Sequence, residues 1–180
     1  MANNKNLTKQ VGSLIVGFLW CLALQATADT AEQALELPKD KVVLTVDGLI
    51  EQTNMNGQAV FDLTMLQSLP VSTISTSTVV TDGVKRFDGV LVRDLFARLG
   101  VAEHAQYVEA VAFNDYRIDI PLVDFYEYDV LLATHMDGQQ LTLADKGPLW
   151  VVYPRDEHRK LQDIRFDYRW VWQLKQLSIR

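Results

Sequence analysis

Cysteine is almost missing from this chain of 180 residues: the single one, Cys21, lies inside the apolar stretch 11–24 (VGSLIVGFLWCLAL). That scarcity excludes an intramolecular disulfide and any metal site built from several thiolates. Histidine is nearly as scarce, and His104, His135 and His158 stand at no HxxxH or HExxH spacing, so metal binding through them would require convergence in the fold. The chain has no glycine-rich phosphate loop and no G-x-S-x-G elbow. Nucleotide binding and a serine nucleophile are therefore without support from motifs.

Arginine is also missing from the first part of the chain, where the earliest is Arg86. The opening ten residues carry Lys5 and Lys9 without an acidic residue, the apolar stretch follows, and Ala26-Thr27-Ala28 supplies small residues. This three-part pattern predicts a secretory signal peptide over 1–28, cleaved after Ala28. A spanning helix needs roughly 20 apolar residues to cross a hydrocarbon core about 30 Å thick, and the stretch falls short of that. No membrane insertion is expected after cleavage. Leu19 and Trp20 are too large to precede a lipid-modified cysteine, and the adjacent arginines of a twin-arginine signal are lacking. General secretion of an unfolded chain, to the periplasm or beyond, is the expected route.

Cleavage would leave 180 − 28 = 152 residues, a length suited to one self-sufficient domain. Loss of Lys5 and Lys9 would take the formal charge from −6 to −8, since no acidic residue precedes Asp29. So acidic a surface has little positive charge with which to displace phosphate counterions, and no nucleic-acid partner is expected.

Residues 29–40 (DTAEQALELPKD) read as a polar spacer before a domain over 41–180. Val42, Leu44 and Val46 alternate with Val43 and Thr45 up to Asp47-Gly48, the pattern of a strand closed by a turn. Asp62 caps a short apolar run through Leu63, Leu66 and Leu69 that Pro70 ends. Val71 to Val80, rich in Ser, Thr, Val and Ile, suits one long strand turned by Thr81-Asp82-Gly83. Leu91, Leu95, Phe96 and Leu99 fall at helical spacing before Gly100. Strand-like runs follow at 107–112, 117–120, 130–134, 149–153 and 173–179, with turns at Asn114-Asp115 and Asp137-Gly138. Many short strands and few short helices predict an α+β fold of layered, largely antiparallel or mixed sheets.

Two segments concentrate aromatic and basic side chains. Gly147 to Arg155 is an apolar strand fenced by Pro148 and Pro154, and Phe166 to Trp172 is an aromatic cluster flanked by arginines. Core packing accounts for most such rings, each of which buries surface worth about 4 to 6 kcal/mol of gross transfer energy. Tyr153, Arg155, Arg159, Arg165 and Arg169 could instead line an anion-friendly pocket. Their alternation with Asp156, Glu157, Asp163 and Asp167 favours an ordinary ion-paired surface over such a pocket.

Taken in order, Phe87-Asp88-Gly89-Val90-Leu91-Val92-Arg93-Asp94-Leu95, Phe113-Asn114-Asp115-Tyr116, Leu131-Leu132-Ala133 with Asp137-Gly138, Gly147-Pro148-Leu149-Trp150 with Tyr153-Pro154, and Arg169-Trp170-Val171-Trp172 resemble the oxidoreductase molybdopterin-binding domain of the sulfite oxidase superfamily. The resemblance is to small exported stand-alone members and covers residues 41–180. It implies a fold of layered sheets, and enzymes that hold molybdenum through a pterin dithiolene and one protein cysteine. That cysteine precedes the glycine equivalent to Gly89 by about a dozen residues, which places it at or near Ser77, within Thr76-Ser77-Thr78. A hydroxyl replaces the thiolate there, and a hydroxyl is a poor ligand unless the metal deprotonates it. No cofactor is therefore expected, although the resemblance leaves molybdopterin open. The old cofactor cleft, with Ser77, Asn114, Tyr116 and Arg155 as candidate binding residues, would then take a small ligand or a membrane or periplasmic protein partner. The alternative is a molybdopterin-dependent oxidoreductase with serine, or no protein ligand, on the metal.

Overall fold

The computed structural model describes residues 34–180. The expected signal peptide and the first half of the spacer lie outside them. Among the described residues no helix is long and apolar enough to cross a membrane.

Among the described residues ten strands form two sheets, joined by four short helices. The first sheet contains β1 (Val42–Gly48), β2 (Ala59–Asp62), β5 (Tyr107–Ala112), β6 (Arg117–Pro121) and β10 (Leu174–Ile179), in the order β2-β1-β10-β5-β6. β10 runs parallel to β1 and antiparallel to β5, so the last strand of the chain occupies the centre of the sheet. The second sheet orders β3 (Val71–Ser77), β4 (Val84–Leu91), β7 (Leu131–Met136) and β8 (Gln139–Gln140), and β9 (Trp150–Val152) also pairs with β7. The helices are α1 (Leu63–Gln67), α2 (Val92–Leu99), α3 (Asp124–Glu127) and α4 (Ile164–Asp167), with a 3-10 turn at Arg159–Gln162. The fold is the mixed α+β arrangement with few short helices that the sequence predicts.

Several elements form for local reasons. Asp62 accepts a hydrogen bond from the Met65 backbone at 2.8 Å, which caps α1, and also takes the N–H groups of Lys39 and Asp40. In α2 the periodic residues Val92, Leu95, Phe96 and Leu99 are all buried. Gly100 ends the helix with φ of 63°, and Val101 N–H reaches back to the Phe96 carbonyl, a closure that favours glycine. Alternation in β1 buries Leu44 and Val46 and leaves Val43 and Thr45 half-buried.

Two segments depart from expectation. The strand expected over 71–80 stops at Ser77, because the Thr78 hydroxyl accepts the Val80 N–H at 3.1 Å and pairs with the Thr81 hydroxyl at 2.9 Å, folding the chain into a loop. β4 carries no alternation legible in the sequence: Lys85, Arg86 and Asp88 interrupt it and Gly89 weakens it. Gly89 is there because a Cβ would stand 2.1 Å from the Leu132 carbonyl oxygen and 2.8 Å from Ala133 Cα, at the register shift between β4 and β7.

The two sheets meet along the segment around β9. On one side its residues pair with Leu131 to Ala133 of β7. On the other, Val151 N–H donates to the Val171 carbonyl at 2.9 Å and Leu174 N–H to the Leu149 carbonyl at 3.0 Å, just where β10 begins. Leu149 to Tyr153 are inaccessible to solvent. Trp150 packs edge-on against Phe87 of the second sheet, with ring centroids 5.3 Å apart, and against Trp170 at 6.4 Å.

Gly89→Ala should lower stability by about 3 kcal/mol, the upper range for overpacking, because both obstacles are backbone. Urea unfolding checks this, and an unchanged midpoint would mean that the β4–β7 contact yields at little cost.

Candidate functional site

Ser77 ends β3 and faces the segment that leaves β9. Its hydroxyl donates to Asp156 Oδ1 and its N–H to Asp156 Oδ2, both at 2.6 Å. Arg155 Nη1 donates to the same hydroxyl at 3.3 Å, and Asp156 N–H returns to the Thr76 hydroxyl at 3.2 Å. Two chain segments separated by 79 residues are thereby locked together. The Ser77 hydroxyl and N–H, helped by Arg155, hold the Asp156 carboxyl below the ordinary aspartate value.

Asn114 and Tyr116 stand elsewhere, on the hairpin between β5 and β6. Asn114 Oδ1 accepts the Tyr116 N–H at 3.1 Å, and Asp115 takes φ of 65° at the turn, which aspartate tolerates. The Tyr116 hydroxyl donates to the Tyr168 carbonyl at 3.0 Å, tying the hairpin to the chain after α4. Burial, with Tyr168 adding a smaller effect, pushes the Tyr116 phenol upward, so it stays protonated.

A cleft of about 250 Å³ opens beside the Asn114–Tyr116 hairpin. The loop residues Thr78, Val79 and Val80 form one wall, Ala112, Asn114 and Tyr116 another, and Asp167, Tyr168, Trp170, Val171 and Trp172 the third. Of the four candidate residues, the structure sets Asn114 and Tyr116 into the cleft wall and places Ser77 and Arg155 together, joined to that wall through Thr78. A larger hollow of about 410 Å³, beside residues 34–40 and α1, includes none of the four. Within the cleft wall, Trp170 Nε1 and Asp167 Oδ1 are buried without a hydrogen-bond partner. Arg155 Nε is likewise buried and unpartnered.

The arginines do not converge on an anion. Arg165 pairs with Asp163 at 2.8 Å and depresses that carboxyl to about 2. Arg169 is bound to Asp124 and lies over the Phe166 ring at 4.4 Å. Tyr153 belongs to the core, where its hydroxyl donates to Asp124 at 3.0 Å and burial drives its phenol well above the usual range. The histidines are equally dispersed: His135 Nδ1 meets the Thr134 hydroxyl at 2.9 Å, and His158 packs against Tyr128. Among the described residues no cluster of His, Cys, Asp and Glu could hold a metal. Sequence reasoning assigned Asp156 and Asp167 to surface pairing. No spacing rule could have revealed that one clamps Ser77 and the other lines the cleft.

The fold that carries this cleft is a two-sheet α+β domain with few short helices. A family model, the oxidoreductase molybdopterin binding domain, matches residues 34–157, and the chain belongs to that family. The crystal structure of the sulfane dehydrogenase SoxCD from Paracoccus pantotrophus is similar, with a TM-score of 0.59 and 20% identity over 81% of this chain. That similarity spans 40% of the sulfane dehydrogenase chain. No curated protein matches the sequence.

A molybdenum cofactor brings a metal that favours a soft anionic ligand and a phosphate that favours cations. A serinate at Ser77 would stand 2.6 Å from the Asp156 carboxylate. The cleft lining carries one charged side chain, Asp167, and no cation. These residues do not match the donor set that such a cofactor uses.

Two outcomes follow from this geometry. Arg169→Met should destabilise the protein by about 3 kcal/mol in urea unfolding, because it strands the Asp124 carboxylate, whose side chain is 7% exposed, without its counter-ion. A loss near zero would mean that the Tyr153 hydroxyl alone satisfies the Asp124 carboxylate. The Asp156 clamp should act with the sign of a depressed carboxyl: it stabilises above the unfolded aspartate value near 4 and is lost as pH falls through the lower folded value. Its exposure to water keeps the effect small. Between pH 6 and pH 3 the wild-type urea midpoint should therefore fall further than that of Asp156→Asn, and parallel declines would rule the clamp out.

Proposed function

We propose that this protein is an exported binding module that has kept the molybdopterin-domain fold and works without molybdenum, holding a small ligand or a periplasmic or membrane partner at the cleft beside Ser77. The observation that carries the reading is the Ser77–Asp156 clamp. Where a thiolate would be needed, Ser77 is already engaged by a carboxylate, to which its hydroxyl and its backbone N–H each donate one hydrogen bond. The predicted signal for unfolded export adds support, because a cofactor loaded in the cytoplasm requires export of a folded chain. Fold alone does not fix the activity, since sites are grafted onto folds.

Family membership favours a second reading, a molybdopterin-dependent oxidoreductase whose metal is completed by Ser77 or by no protein ligand. The two readings differ in one measurement. Protein purified from its native compartment should contain no molybdenum above background by elemental analysis, and a Ser77→Ala variant should be unchanged in that respect. One molybdenum per chain, lost in Ser77→Ala, would establish the second reading instead.

A further inference from the structure

We infer that the cleft between the 78–80 loop and the Asp167–Trp172 segment is a site for a small organic cation, an ammonium carried on an apolar or aromatic body. This inference rests on the reading of the cleft as a binding site and names what it takes. The first observation is charge: Asp167 is the sole charged side chain in the lining, and its Oδ1 is buried with no hydrogen-bond partner. The carboxylate is thus incompletely paired within the protein, and a cation in the cleft is the ligand charge that it favours most strongly.

The second observation is the ring content. Tyr116, Tyr168, Trp170 and Trp172 all contribute to the wall, and aromatic rings attract a cation through their negative faces. Of the basic side chains near this wall, Arg169 is engaged with Asp124, Lys175 with Asp115, and Arg155 with the Ser77 hydroxyl outside the lining. None neutralises Asp167. The third observation is that Trp170, 8% exposed, keeps an unpartnered indole N–H. That N–H is sealed from solvent, so what Trp170 offers a ligand is its ring. Val79 and Val80, exposed at the mouth, suit the apolar body.

The volume of about 250 Å³ limits the ligand to a small molecule, at the lower end of known pockets. An anionic ligand would meet Asp167 without a compensating cation.

Intrinsic tryptophan fluorescence of the full-length protein provides the test, with 2-phenylethylammonium, 2-phenylethanol and phenylacetate as probes of one shape and three charges. The ammonium should bind saturably and at least about ten-fold more tightly than the alcohol, and phenylacetate should not saturate. Asp167→Asn should remove the ten-fold preference while keeping the weak binding of the alcohol. Tyr168→Ala, at a residue 59% exposed, should weaken ammonium and alcohol alike without loss of fold by circular dichroism. Equal or tighter binding of the alcohol or phenylacetate, or a preference that survives Asp167→Asn, would overturn the cation assignment and leave the cleft a binding site. Failure of all three probes to bind would overturn both the assignment and the reading of the cleft as a small-molecule site.

Discussion

The fold depends on the seam formed by the β9 segment. Its residues are shared between the two sheets: β7 pairs with one edge, and the chain entering β10 takes the other. Because both edges are used, no water reaches the backbone polar groups, and Leu149 to Tyr153 can be wholly buried without leaving their ladder unpaired. Rings fill the space that remains. Phe87 from the second sheet, Trp170 from the approach to the first and Tyr153 from the seam meet around Trp150 or beside it. A change in the position of this strand would move both sheets.

The cleft is a by-product of that seam. Trp170, Val171 and Trp172 are held where they are because the Val171 carbonyl must accept from Val151 and because Leu174 must reach Leu149. At the other end, the chain leaves the seam through Pro154 and at once places Arg155 and Asp156 against the end of β3. The Asp156 carboxylate then fixes Ser77, and Thr78 folds the next residues into the wall of the cleft. A single strand thus positions two walls and the clamp between them.

Much of the architecture is legible in the sequence, and the reasons are local. α2 could be read because Leu95, Phe96 and Leu99 repeat at helical spacing and Gly100 closes the helix within one turn. The cap at Asp62 and the turn at Asn114-Asp115 are equally short-range. β4 was not legible, since the reason for Gly89 lies on β7, about forty residues further along the chain, where Leu132 leaves no room for a side chain. The candidate site divides in the same way. Ser77, Asn114, Tyr116 and Arg155 were reached through family resemblance, whereas the partner of Ser77 is a carboxylate that charge alternation alone assigns to the surface. Contacts made across the whole chain leave no periodic trace in it.

Among the described residues four buried side-chain atoms lack a hydrogen-bond partner, and their settings differ. Trp150 Nε1 is unpartnered in the ring stack, away from the cleft wall, and its cost is set against the packing of a fully buried indole. Arg155 Nε is unpartnered beside a guanidinium nitrogen that serves the Ser77 clamp. Trp170 Nε1 differs from both, since the residue that carries it also lines open space, together with an unpaired oxygen of Asp167.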